Sequence, residues 1–295
     1  MAGDAPLAGV RELADSSALW ADDGGALSAD SAALRQRLSR DGYLLLRGFL
    51  PRGDVLRAQR CVLRALRRES PAGFAPGSRA EDARAAPGAA ALGLLGRLHI
   101  SAAPPVAAVL ESPRLFALAA ALLQLPGADH VCTPAFKWAR CVAPGEFTGV
   151  HADAAFFRPA QGQVASAPML TAWLPLGDVA VERGAMMVAP GSHCARALAP
   201  LRDAYLARPL GADGTRSGWL ASSAAALPGR APPRGWATAD FRAGDVVVLR
   251  MDVLHMTARN VSDRLRTSCD TRWQPRDAPR DAALAHWRAV GGVPA

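Results

Sequence analysis

His151 and Asp153 stand two residues apart in the run Gly-Val-His-Ala-Asp-Ala-Ala-Phe-Phe over 149–157. Side chains two apart on an extended strand point to one face, so the pair offers an imidazole nitrogen and a carboxylate oxygen to a single ion. Chance supplies many such pairs, and a third ligand downstream is what gives one meaning. Two histidines and a carboxylate hold a non-haem Fe(II) by one face and leave three positions open. His255 is the third candidate. It closes the run 244–255, which reads as a Gly-Asp turn, a β-branched strand and a second short strand.

The residues after His255 suit an anionic cosubstrate. A polar Asn/Ser/Asp turn leads into an alternating stretch over 264–273. Its period of two puts Arg264, Arg266, Ser268, Asp270 and Arg272 on one face and Leu265, Cys269 and Trp273 on the other. An arginine-bearing face beside a metal ligand fits a dicarboxylate. One end can chelate the metal while a planar guanidinium holds the far carboxylate through two parallel hydrogen bonds. Phe156, Arg158 and Arg272 are the candidates for contact with the substrate itself.

Positioning such a site needs a rigid frame, and the chain patterns one. Helices are expected at 29–40, with Gly42 as the stop, from Pro51 to about Arg68, and at 112–125. From about 131 the pattern becomes strands of five to ten residues between Gly and Pro, near 131–142, 150–157, 168–176, 184–189, 245–250, 253–258 and 264–273. Strands at that density after a helical N-terminal third indicate a mainly β sandwich or barrel with flanking helices. Residues 1–28 read as a loose lead-in, 29–276 as one domain and 277–295 as a tail. The stretch 70–93 reads as a surface loop. The long stretch 194–240, rich in turn residues and carrying Trp219 and Trp236, reads as a cover over the active site.

Taken together, these pieces resemble the phytanoyl-CoA dioxygenase family of Fe(II)/2-oxoglutarate-dependent oxygenases. The matching segments are Asp-Gly-Tyr-Leu-Leu-Leu-Arg-Gly-Phe-Leu (41–50), His-Ala-Asp (151–153), Thr-Ala-Trp-Leu-Pro-Leu (171–176), Gly-Ala-Met-Met-Val-Ala-Pro-Gly-Ser-His (184–193) and His255 to Pro275. They occur in the family's order over roughly residues 30–275. The resemblance implies a double-stranded β-helix, or jelly-roll, core with His151, Asp153 and His255 as iron ligands. It implies 2-oxoglutarate and O2 as cosubstrates, a small-molecule or acyl substrate, hydroxylation, and release of succinate and CO2. Arg266, eleven residues after the last His, is then the anchor for the cosubstrate's far carboxylate. Some relatives use an Arg nine residues on, here Arg264, and the choice between the two stays open at this point. Trp173, Thr257 and Ser268 fall where the family lines the cosubstrate pocket. Lys137, on the preceding strand, is placed with the same group, facing either the pocket or water.

Composition narrows the remaining classes. The chain has 295 residues, half of them apolar, enough for a sizeable core. Its formal charge of +8 comes from 34 basic residues of which only Lys137 is a lysine. That bias, without clustered aromatics, reads as base composition rather than nucleic-acid binding. Five scattered cysteines without a Cys-x-x-Cys fit a reducing, cytoplasmic setting. No apolar run is read as a membrane span. His99, His130 and His286 lack a second ligand at chelating spacing, and His193 closes a Pro-Gly-Ser-His turn. Two other classes stand beside the oxygenase: a cupin-type metalloenzyme that does not use 2-oxoglutarate, and a binding protein that keeps the fold without catalysis. Asp153 disfavours a halogenase, in which halide takes the carboxylate's coordination position. Oligomeric state is not legible.

Overall fold

The β-branched run predicted after Gly244 sits in the middle of the molecule, where alternating Val and Leu side chains can be buried on both faces of a sheet. The structure, a computed structural model, describes residues 9–20, 31–90, 92–157, 168–207, 218–227, 231–280, 284 and 286–295. In chain order the strands are β1 (Arg11–Glu12), β2 (Tyr43–Leu46), β3 (Val131–Pro134), β4 (Trp138–Val142), β5 (Leu170–Pro175) and β6 (Met186–Val188). They continue with β7 (Ala237–Thr238), β8 (Val246–Arg250), β9 (His255–Thr257), β10 (Arg266–Pro275) and β11 (Trp287–Arg288). The helices are α1 (Ser31–Asp41), α2 (Arg52–Glu69), α3 (Leu98–Ser101), α4 (Pro104–Leu110), α5 (Pro113–Leu123) and α6 (Ala199–Ala207).

Two sheets face each other, as expected for a jelly roll. The larger runs β11-β3-β10-β5-β8-β2, with β4 also paired to the first half of β10; the smaller runs β1-β7-β6-β9. Alternation decides what each face meets. Leu44, Leu46, Ala172, Leu174, Val246, Val248, Cys269 and Trp273 point outward from the large sheet and bury the apolar stripes of α1, α2, α4 and α5. Tyr43, Leu45, Trp173, Val247 and Leu249 point inward and pack on Met186 and Val188 of the small sheet. On the small sheet's outer face, Met187, Leu254 and Met256 join Leu198, Tyr205, Ala221, Leu227 and Trp236.

That last cluster shows what the described part of 194–240 packs against. The described parts of this stretch include α6, β7 and the segment 218–227; α6 and 218–227 lie behind β6 and β9, β7 continues the small sheet beside β6, and Ala221 pairs with Val150 next to His151. The segments behind β6 and β9 bury the back of the strand that carries His255. Residues 208–217 and 228–230 lie outside the described residues.

Both ends of the chain are also more engaged than the reading of a lead-in and a tail allows. β1 pairs in parallel with β7, Leu13 is buried, and β11 pairs with β3 and buries Trp287. The loop 70–93 contributes Phe74, Ala80, Ala83 and Leu92 to the core. Gly42 does end α1, at φ +82°, where its N–H closes on Leu38 O at 2.9 Å. Residues 104–123 form an apolar stretch long enough to cross a membrane by length and composition, which the sequence reading passed over; they fold as α4 and α5, with 56 % of the stretch buried in the domain.

Candidate active site

His151 reaches the site by a different local structure from the one its sequence suggested. The expected strand 150–157 is a short extended segment. His151 and His255 exchange both backbone hydrogen bonds at 2.9 Å, so the chain at 150–151 lies beside β9. Asp153 then begins a 3₁₀ turn, Asp153–Ala155. Ala152 keeps an extended backbone (φ −123°, ψ 137°), and that single step suffices to place both side chains on one side. On the other flank, Val150 pairs with Ala221. Gly149 has no room for a side chain, since a Cβ there would lie 2.6 Å from the Trp219 ring and 2.7 Å from Ala221 O.

The three side chains converge. Ligand atoms of His151, Asp153 and His255 all lie within 4.8 Å of one another. Each His Nε2 is 3.9 Å from Asp153 Oδ1. Nδ1 of His151 lies 2.8 Å from Gly149 O, and Nδ1 of His255 lies 3.1 Å from Val253 O. A carbonyl only accepts, so each Nδ1 carries the hydrogen and each Nε2 keeps its lone pair for a metal. The three residues are all buried.

Electrostatics keep the ligands in the forms a cation needs. Burial, reinforced by His255 alongside, pushes the His151 imidazole down to about 3. Burial opposes the charge on Asp153, but Arg272, His255 and His151 outweigh it and hold the carboxyl well below its usual range. Both effects have the same sign for stability. His151 takes up a proton more readily when unfolded, so folding stability falls as pH drops below about 6.5 toward 3. The depressed Asp153 adds stability that is likewise lost in acid. Metal-free protein is therefore expected to melt at a lower temperature at pH 5 than at pH 7.5, and His151→Gln is expected to flatten that slope. Scanning calorimetry checks it, and a variant slope equal to the wild type's would assign the pH dependence elsewhere.

Asp153 is gripped on both oxygens. Arg272 Nη2 donates to Oδ1 at 3.0 Å and Thr171 Oγ1 donates to Oδ2 at 2.5 Å. Arg272 is itself stacked, its Cζ 4.7 Å from the Trp138 ring centre and 5.2 Å from that of Phe157. Thr171, Trp138 and Arg140, the last paired at 3.2 Å with Asp270, were not singled out as site residues from the sequence. Period two from Trp173 would have pointed to Thr171, and the cross-strand register places Arg272 opposite Thr171.

Along the same face of β10 the cosubstrate candidates separate. Arg266 is fully buried, and Nη1 donates to Ser268 Oγ at 3.2 Å, while Nε and Nη2 have no hydrogen-bond partner. Burial and the neighbouring Arg140 pull its guanidinium down to about 10. Arg264 is excluded from this wall. β10 begins only at Arg266; the Asn260 side chain ties down Arg264 O at 2.7 Å, and the Arg264 side chain is half exposed beside Asp263. Lys137 is excluded too. It is buried against Glu111 (3.2 Å) and Thr133 (3.1 Å) rather than in the pocket.

Trp173 is buried edge-on to Phe241, in the core between the sheets. Thr257 Oγ1 accepts the Thr148 N–H at 2.8 Å beside the site. Phe156 is 42 % exposed with its ring edge-on to His151, a place from which it can meet a substrate. Arg158 lies outside the described residues.

A jelly roll carrying two histidines and one carboxylate at one end of its inter-sheet space, with a buried arginine on the adjoining strand, defines a class: the non-haem iron oxygenases that use 2-oxoglutarate. Comparison with known proteins agrees. The family model for phytanoyl-CoA dioxygenase (PhyH) matches residues 38–268, and the chain belongs to that family, an enzyme dependent on iron and 2-oxoglutarate. The fold is similar to a non-heme alpha ketoglutarate dependent epimerase, SnoN, from nogalamycin biosynthesis (23 % identity over 87 % of this chain and 88 % of that one, TM-score 0.52). It is also similar to the carbocyclase SnoK of the same biosynthesis (20 %, 90 % and 87 %, TM-score 0.54) and to EctD from S. alaskensis (16 %, 92 % and 83 %, TM-score 0.54). No curated protein matches the chain.

Proposed function

We propose that the enzyme hydroxylates a small-molecule or acyl substrate, with His151, Asp153 and His255 as the iron ligands and Arg266 as the anchor for 2-oxoglutarate. The observation that carries this reading is a buried guanidinium with two unpartnered nitrogens on the sheet face that adjoins the triad. Donors in a dry interior are costly unless something accepts from them, and a carboxylate is the acceptor whose geometry fits a guanidinium. When bound, the iron supplies the one-electron chemistry that couples decarboxylation of 2-oxoglutarate and use of O2 to attack on a C–H bond.

The protein's own part is to bind, orient and shield. The Nδ1 contacts to Gly149 and Val253 fix both imidazoles. Ser268 steers Arg266 through its Nη1 contact. Arg140, opposite Ser268 across β4 and β10, reaches diagonally to Asp270 at 3.2 Å, and the pair lines the wall between Arg266 and Arg272. Phe156 and the ring pair Trp138–Phe157 make the substrate side apolar and aromatic, which favours a substrate with an apolar segment near the reacting carbon.

The similar structures carry epimerase and carbocyclase activities by name, so the informative assay reads succinate, which any outcome coupled to 2-oxoglutarate releases. Anaerobically iron-loaded protein, given O2 and 2-oxoglutarate, is expected to release succinate slowly alone and faster with a matching metabolite. An iron-loaded protein that neither binds 2-oxoglutarate nor forms succinate would favour the cupin-type alternative.

A further inference from the structure

We infer that Arg272 is a positioning residue for the metal site: with Thr171 it holds Asp153 so that the carboxylate presents one oxygen, Oδ1, to the ion. Asp153 Oδ1 is the oxygen 3.9 Å from both His Nε2 atoms, and it is the one that Arg272 Nη2 contacts at 3.0 Å. An ionised carboxylate offers about four lone-pair sites. Arg272 takes one on Oδ1 and leaves the other toward the histidines. Thr171 occupies Oδ2 at 2.5 Å, so that oxygen is not free to swing in as a second donor. A carboxylate bound by one oxygen keeps three coordination positions open. Two-oxygen binding would use one of those positions, which 2-oxoglutarate and O2 need.

Arg272 is held for this task. It is 3 % exposed, its guanidinium lies against the edge-to-face pair of Trp138 and Phe157 rings, and the register sets it directly opposite Thr171 on β5. Its Nε and Nη1 have no hydrogen-bond partner among the described residues, and its Nη2 bonds Asp153. A buried arginine serving only the fold would be expected to satisfy its donors. This one leaves two of its three nitrogens unused and turns the third to a proposed metal ligand. The sequence reading offered Arg272 as a candidate for substrate contact; the ion pair it makes in the structure is with Asp153.

The inference rests on the triad reading, and its test separates the two. Charge and geometry predict opposite signs. Removing a positive charge beside a dication site would by Coulomb's law alone tighten metal binding, whereas loss of a group that orients a ligand typically weakens it roughly 10- to 100-fold. Mn(II) titrated calorimetrically into metal-free protein is therefore expected to bind Arg272→Gln 10- to 100-fold more weakly than wild type. Arg272→Lys, which keeps one donor but loses the planar stacking, should be intermediate. The infrared carboxylate stretches of aspartate-labelled, Mn(II)-loaded wild type should show the wide separation of one-oxygen binding, and those of Thr171→Val the narrower separation of two-oxygen binding.

Unchanged or tighter Mn(II) binding by Arg272→Gln would overturn the inference, as would identical stretches in wild type and Thr171→Val. Should Arg272→Gln fail to fold, the Thr171→Val spectrum decides alone. Failure of wild type to bind Mn(II) at all would instead sink the triad reading.

Discussion

Arg266→Ala is expected to weaken 2-oxoglutarate binding by roughly thirty- to several-thousand-fold, the equivalent of about 2–5 kcal/mol for truncating one partner of a buried, hydrogen-bonded charge pair. The size follows from burial. Arg266 has no exposed surface, and Ser268 is the hydrogen-bond acceptor that the described protein gives it. Without the guanidinium, the far carboxylate of the cosubstrate enters a closed interior without its positive partner. Arg266→Lys is expected to recover only part of the loss, because an ammonium is a point charge and cannot make two parallel hydrogen bonds. Arg264→Ala is the control. Its side chain is half exposed beside Asp263 and stands before β10 begins, so its removal should change affinity by less than threefold. Calorimetric titration of 2-oxoglutarate into Mn(II)-loaded protein ranks the variants, and the reverse ranking would move the anchor to Arg264.

The ranking of those two arginines shows where the sequence was legible and where it was not. The period-two pattern put Arg264 on one face with Arg266, Ser268, Asp270 and Arg272, and from Arg266 onward the strand does carry those residues on a single side. It fails at Arg264 because strand periodicity holds only while the ladder lasts. The Asn260 side chain, hydrogen-bonded to Val142 O and Arg264 O, fastens the turn and delays the strand. A local pattern contains no sign of such a long-range tether. Lys137 failed similarly: its partner Glu111 is 26 positions earlier, on the helical layer, and nothing near Lys137 in sequence announces it.

The triad itself was legible because its spacing survives a change of secondary structure. One extended residue, Ala152, is enough to align His151 with Asp153, so a wrong strand still gave the right pair. The grip on Asp153 was not legible. Thr171 and Arg272 meet the carboxylate only through the register of β5 with β10 and the position of the 3₁₀ turn, which are tertiary facts. The packing of the stretch 194–240 was not legible, because length and turn residues say that a segment has a task without saying which side of the sheet it serves. The small sheet's outer residues Met187, Leu254 and Met256 needed a cover, and the described part of that stretch supplies it.

Those same contacts decide which ligand variant tests the metal site cleanly. His255→Ala is expected to lower Fe(II) or Mn(II) affinity by more than about a hundred-fold, beyond what loss of a supporting partner alone costs, while the protein stays folded. His255 contributes one ring hydrogen bond, to Val253 O, and its backbone pairing with His151 does not depend on the side chain. Asp153→Ala should abolish metal binding as completely but carries a second effect. It leaves Arg272 buried at 3 % exposure without its anionic partner, and an uncompensated buried charge costs on the order of 3–5 kcal/mol. A melting temperature well below wild type is therefore expected for metal-free Asp153→Ala and a much smaller drop for His255→Ala. The double variant Asp153→Ala/Arg272→Met should regain most of that stability without regaining metal, since a hydrophobic side chain of similar length replaces the stranded guanidinium. Thermal melts and Mn(II) titrations of the four proteins check this together. Wild-type metal affinity in either His255→Ala or Asp153→Ala would refute the assignment of the ligands, and a double variant no more stable than Asp153→Ala would show that the carboxylate's partner is not what its loss leaves exposed.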